Sequence, residues 1–75
     1  MYKITPEEQA RLDKDFTYHS TKSDQVPRYN MIRDCGGTFA FVLLENCPPS
    51  RERSLAMTAL EECVMWANAA IARNE

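Results

Sequence analysis

Apolar residues recur at helical spacing through most of this chain. Ile32, Cys35, Phe39, Val42 or Leu43, and Asn46 follow one another three and four residues apart, which predicts a long helix with one buried stripe. From Arg51 to about Arg73 a second long helix carries two overlapping apolar faces. Ala56, Ala59, Cys63, Trp66 and Ala70 form one; Met57, Leu60, Val64, Ala67 and Ile71 form the other. Between the two helices, Cys47-Pro48-Pro49-Ser50 ends the first, because neither proline can continue it, and offers Ser50 as the cap of the second. The two must then form a hairpin.

Ahead of the hairpin, Thr5-Pro6-Glu7-Glu8 reads as a capping box with proline at the first helical position, and predicts a short helix over about 5–14. The stretch over 15–24 is rich in Ser, Thr and Asp, has no sustained periodicity, and reads as an ordered arm. Pro27 fits the first turn of the next helix, with Ser23 or Asp24 as its cap. The expected architecture is therefore all-α, a single domain over 1–75 with a short N-terminal helix and an antiparallel hairpin over about 25–74. Gly36-Gly37 falls inside the first long helix and costs roughly 1 kcal/mol per glycine relative to alanine. That cost points to a helix break or, preferably, to a close approach by another backbone or a ligand.

One partner helix can cover only one of the two apolar faces on the last helix. The other would stay exposed in a monomer, which is the usual mark of an interface. Ala67, Ala69, Ala70 and Ala72 would let helices of other copies pack closely. With 75 residues the chain is short enough that one core is marginal, so it needs a staple. Its three cysteines are an odd number, and its start has no apolar stretch suited to a signal peptide or a membrane span, so a reducing cytoplasm is expected and disulfides are not. Homo-oligomerisation is the remaining staple. A net charge of −2 argues against binding DNA or RNA polymers but not against a small anionic ligand held by a few arginines.

No catalytic motif is present, so no enzyme and no cofactor are expected. Cys35, Cys47, Cys63 and His19 have unhelpful spacing for a zinc site; the cysteines read instead as small buried apolar groups, and Trp66 as core. Glu61-Glu62 reads as a solvated edge. The cluster that stands out is aromatic and basic: Tyr18 and His19 in the arm, Lys22, then Arg28 and Arg33 on the first long helix. A phenol ring can stack on a base and a guanidinium can grip a phosphate through two donors, so together they suit a nucleotide. The plain alternative has Tyr18 packing on the hairpin, Arg28 and Arg33 pairing with Asp24 or Asp34, and His19 capping a helix. Arg51 and Arg53 oppose the positive end of the last helix, which fits an inter-subunit salt bridge or a phosphate contact, although a solvated face is the commoner reason for such charges. Asn68, inside Trp66-Ala67-Asn68-Ala69-Ala70, would be costly if buried without partners, and is a candidate to bridge subunits or line a pocket.

The segments Phe16-Thr17-Tyr18-His19, Arg28-Tyr29, Ile32-Arg33, the run from Cys47 to Glu62, and Met65 to Asn74 resemble small phage proteins of the anti-CBASS and Thoeris anti-defence hairpin family, over about residues 16–74. The resemblance implies a phage-encoded sponge in the host bacterial cytoplasm, which binds cyclic oligonucleotide second messengers without cleaving them. It also implies a compact helical homohexamer with separate pockets for cyclic dinucleotides and trinucleotides. An aromatic residue ahead of the first long helix and a basic residue fifteen positions later serve the dinucleotide pocket; these roles fall on Tyr18 and Arg33, where other members carry lysine at the second position. The trinucleotide pocket maps to His19 and Asn68, without a counterpart of its arginine. Alternatives are a sponge for a cyclic ADP-ribose isomer, the Thoeris messenger, and a helical protein-interaction module without a small-molecule ligand.

Overall fold

The computed structural model of the chain describes residues 2–16 and 21–75, which form helices α1 (Pro6–Phe16), α2 (Gln25–Asn46) and α3 (Arg51–Asn74). No strand occurs among the described residues. The capping box starts α1 as the sequence suggests. The Thr5 N–H donates to Glu8 Oε1 at 3.0 Å and the Glu8 N–H donates to Thr5 Oγ1 at 3.1 Å. Helix α1 runs two residues past the expected end at Lys14, because no breaker follows and Asp15 pairs with Arg11 one turn back, at 3.7 Å. The arm expected over 15–24 is shortened accordingly, and its residues 17–20 lie outside the described residues.

Asp24 precedes α2 at the cap position but makes no side-chain cap bond. Gln25 does the local work instead: its Oε1 accepts from the Lys22 N–H at 2.9 Å, and its own N–H donates to the Lys22 carbonyl at 3.0 Å. At the hairpin turn, Ser50 Oγ accepts from the Arg53 N–H at 3.1 Å, as a cap should. Arg53 also returns to the end of α2 and donates to the carbonyls of Cys47 at 3.2 Å and Leu44 at 3.4 Å. The guanidinium thus satisfies carbonyls that a helix end leaves without partners, which accounts for a cation at a helix N-terminus.

Helix α2 passes unbroken through Gly36-Gly37, and the preferred explanation, close approach, is the observed one. A Cβ placed on Gly36 would lie 2.6 Å from Val64 Cγ2, whereas one on Gly37 meets nothing within 4 Å. This contact corrects the expected stripe. Beyond its first turns, where Arg28 and Tyr29 are half-covered, the half-covered residues of α2 are Ile32, Gly36, Ala40 and Leu43; Cys35, Phe39, Val42 and Asn46 are exposed. To put a glycine against Val64 the helix turns by roughly one residue, about 100°, from the rotation that would centre Cys35 and Phe39. On α3 the face of Met57, Leu60, Val64, Ala67 and Ile71 is the one turned inward. The other face is left open: Cys63 is exposed and Trp66 is 58% exposed, which overturns their assignment to a core.

The resulting layer measures 50 × 38 × 13 Å, barely thicker than one helix. Its radius of gyration is 16.9 Å, against roughly 11 Å for a compact chain of this length. No apolar residue is fully buried among the described residues.

Gly36→Ala forces Val64 to shift and is expected to lower stability by about 1–3 kcal/mol, in the range of overpacked sites. Gly37→Ala is expected to raise it by roughly 0.5–1 kcal/mol, the helix-propensity gain alone. Thermal or urea unfolding of the two variants checks the opposite signs. The Thr5 N–H, and after it the Thr5 hydroxyl, hold the Glu8 carboxyl below the usual glutamate value. Its contribution to α1 is therefore full above the ordinary glutamate range and lost as pH falls through the lowered folded value. An NMR titration of the Glu8 side chain should show that lowered midpoint, and Thr5→Ala should raise it.

Candidate functional site

The closest approach of α2 and α3 leaves a groove on each side of the layer. Both grooves share Gly36, Leu60 and Val64 as their floor. On one side, Gly37 and Ala40 extend the small-residue floor, and Arg33 from α2 and Glu61 from α3 form the polar rim. On the other, Met31, Cys35, Phe39 and Cys63 make a wall that is almost entirely apolar. Neighbouring residues on a helix differ by about 100°, so Cys35 and Cys63, each one residue before the Gly36–Val64 contact, turn to the same side.

Arg33 is exposed and makes no ion pair among the described residues. Its guanidinium therefore stands unpaired at the rim of that groove. Arg28 stands five residues earlier, about 140° around the same helix, so the structure does not place the two arginines on one face. Arg28 turns to the open end of the hairpin. Its Nη1 donates to Glu75 Oε2 at 2.9 Å and its Nη2 donates to Glu75 Oε1, while Asp24 lies 3.9 Å away on the other side. Gln25, the one buried polar residue at 3% exposure among the described residues, donates from its amide to Glu75 Oε1 at 3.2 Å. Lys22 reaches the same corner through its main-chain bond to Gln25.

Asn68 faces inward between Val64 and Ile71, and its Oδ1 is buried with no hydrogen-bond partner among the described residues. Arg28 Nε is in the same condition. Such groups cost about 1–3 kcal/mol when left unsatisfied. Tyr18 and His19 lie outside the described residues. Near α1, Arg73 of α3 approaches Asp15 at 3.9 Å and lies 5.9 Å from the centre of the exposed Trp66 ring.

Sequence reasoning missed Gln25 and Glu75, whereas Glu61 and Glu62 are exposed as their reading as a solvated edge expects. A signal existed for Glu75: a carboxylate at the C-terminal end of a helix opposes the helix dipole, and so asks for a cationic partner. No such signal marks Gln25, whose role depends on a residue 50 positions away. Among the described residues no three His, Cys, Asp or Glu side chains converge as metal ligands, and no helix is long and apolar enough to cross a membrane.

A family model described as the Acb2/Tad1 hairpin domain matches residues 8–72. No curated protein and no solved structure matches the chain.

Proposed function

Because this chain belongs to the Acb2/Tad1 hairpin-domain family, the anti-CBASS and anti-Thoeris sponges, we propose that it sequesters cyclic dinucleotide messengers, intact, inside the infected bacterial cell. Family membership over residues 8–72 is the observation that carries this function. Tyr18 stacks on a base and Arg33 meets the phosphates of the dinucleotide, with Lys22 and Arg28 as further basic contacts, while His19 and Asn68 serve a separate pocket for a cyclic trinucleotide, the second ligand class. A sponge needs no general base and no metal. It needs only affinity, and the unpaired guanidinium of Arg33 at the rim of a groove floored by small residues supports that role.

The working form is a homo-oligomer, a hexamer by analogy with the family, with pockets between copies in the host cytoplasm. The isolated chain exposes 6341 Å² of surface, where a folded monomer of 8.6 kDa exposes roughly 4,700 Å². The excess is about twice what each partner contributes to an ordinary interface, roughly 800 Å². Much of the open surface is large and apolar, including Met31, Phe39, Phe41, Leu55, Met65 and Trp66. Further copies would cover it, and they would also offer partners to Asn68 Oδ1.

Isothermal titration with cyclic GMP-AMP should give tight binding. Tyr18→Ala and Arg33→Ala should each weaken it strongly, the former by about 1–3 kcal/mol for a lost stacking contact, with the oligomer mass unchanged. Retained affinity in both variants refutes the site. Recovery of chemically intact ligand after denaturation distinguishes holding from cleavage, and a parallel titration with a cyclic ADP-ribose isomer distinguishes the two messenger classes. Cys35 and Cys63, exposed in the single chain, should react slowly with a thiol reagent in the assembly and fast once it is dissociated. Equal, fast labelling in both conditions contradicts coverage of that face by other copies.

A further inference from the structure

At the open end of the hairpin, a carboxylate of the chain itself lies in a setting suited to an anion. Glu75 accepts from both terminal nitrogens of Arg28 and from the Gln25 amide at 3.2 Å. The Gln25 carbonyl oxygen is already committed to the Lys22 N–H, which leaves its amide nitrogen to face the carboxylate. A guanidinium fork and a buried amide at the first turn of α2 are also what a phosphate would take, since phosphate accepts the same bidentate fork and favours a helix N-terminus. One donor remains unused. Arg28 Nε is buried without an acceptor, and a phosphodiester, with ester oxygens beside its two anionic ones, can supply one more acceptor than a carboxylate.

We infer that Gln25 and Arg28 form a phosphate site and that Glu75 is its internal competitor, an occupant that a phosphate-bearing ligand displaces. The inference rests on the cyclic-nucleotide reading only for the identity of that ligand. Displacement is feasible because the side chains of Arg28 and Glu75 are 42% and 33% exposed, and ion pairs within reach of water are weak. Asp24, 3.9 Å from Arg28, remains as a second carboxylate beside the guanidinium.

The test compares the wild-type protein, Glu75→Gln, Arg28→Ala and the double variant in two titrations. Inorganic pyrophosphate is followed through the Arg28 side-chain N–H resonances, or by calorimetry where Arg28 is absent, and cyclic GMP-AMP is followed by calorimetry. Glu75→Gln should tighten both by about two- to fivefold, the size of an exposed ion pair removed from competition. The gain should vanish when Arg28 is alanine. Unchanged or weaker pyrophosphate binding in Glu75→Gln, with a lowered melting temperature, makes Glu75 a structural latch and overturns the inference. A gain with pyrophosphate while no variant binds cyclic GMP-AMP upholds the phosphate site and overturns the cyclic-nucleotide reading instead.

Discussion

Val64 Cγ2 occupies the space that a Cβ on Gly36 would need, and the rotation of both long helices follows from that contact. With Gly36 turned to α3, Ile32, Ala40 and Leu43 face inward beside it, while Cys35 and Phe39 are carried to one side and Arg33 to the other. On α3 the same contact commits Met57, Leu60, Ala67 and Ile71 to the hairpin, and frees Cys63 and Trp66. One missing methyl group thereby separates an almost wholly apolar groove from a groove with a charged rim. On the proposed function the two sides take different tasks: covering by other copies on one, and gripping an anion on the other.

Two polar contacts hold the ends of the hairpin around this midpoint. At the turn, Arg53 reaches back to the last carbonyls of α2; at the open end, Arg28 and Gln25 hold Glu75. Both are partly exposed and worth little individually. They set register more than stability. Large-scale stabilisation by apolar burial is not available within a layer 13 Å thick, so the chain's stability and its ligand pockets are proposed to come from the same source, which is association with further copies.

The start of α1 and the hairpin turn were legible in the sequence because they rest on local chemistry, whereas the end of α1 and the start of α2 were not. The Thr5–Glu8 capping box, the Pro48-Pro49 stop and the Ser50 cap are all completed within four residues. The rotation of the helices was not legible. Counting apolar residues favoured a stripe through Cys35 and Phe39, because hydrophobicity cannot register a glycine chosen for close packing. The glycine pair did carry that information, and its cost in the middle of a helix was the clue. Hydrophobicity alone makes Trp66, Cys35 and Cys63 read as buried, yet the single chain leaves all three exposed. For the site, the resemblance selected Tyr18 and Arg33, but whether Arg28 is free or engaged depended on Glu75, 47 residues away, which no local pattern reveals.

The hairpin is proposed to be completed by its own copies and, in that form, to hold a messenger intact. Native mass spectrometry of the protein mixed with cyclic GMP-AMP reads assembly and ligand in a single spectrum. The predicted result is an oligomer, six chains by the family analogy, carrying ligands of unaltered mass. A monomer without ligand, at concentrations where the folded protein is soluble, would contradict it.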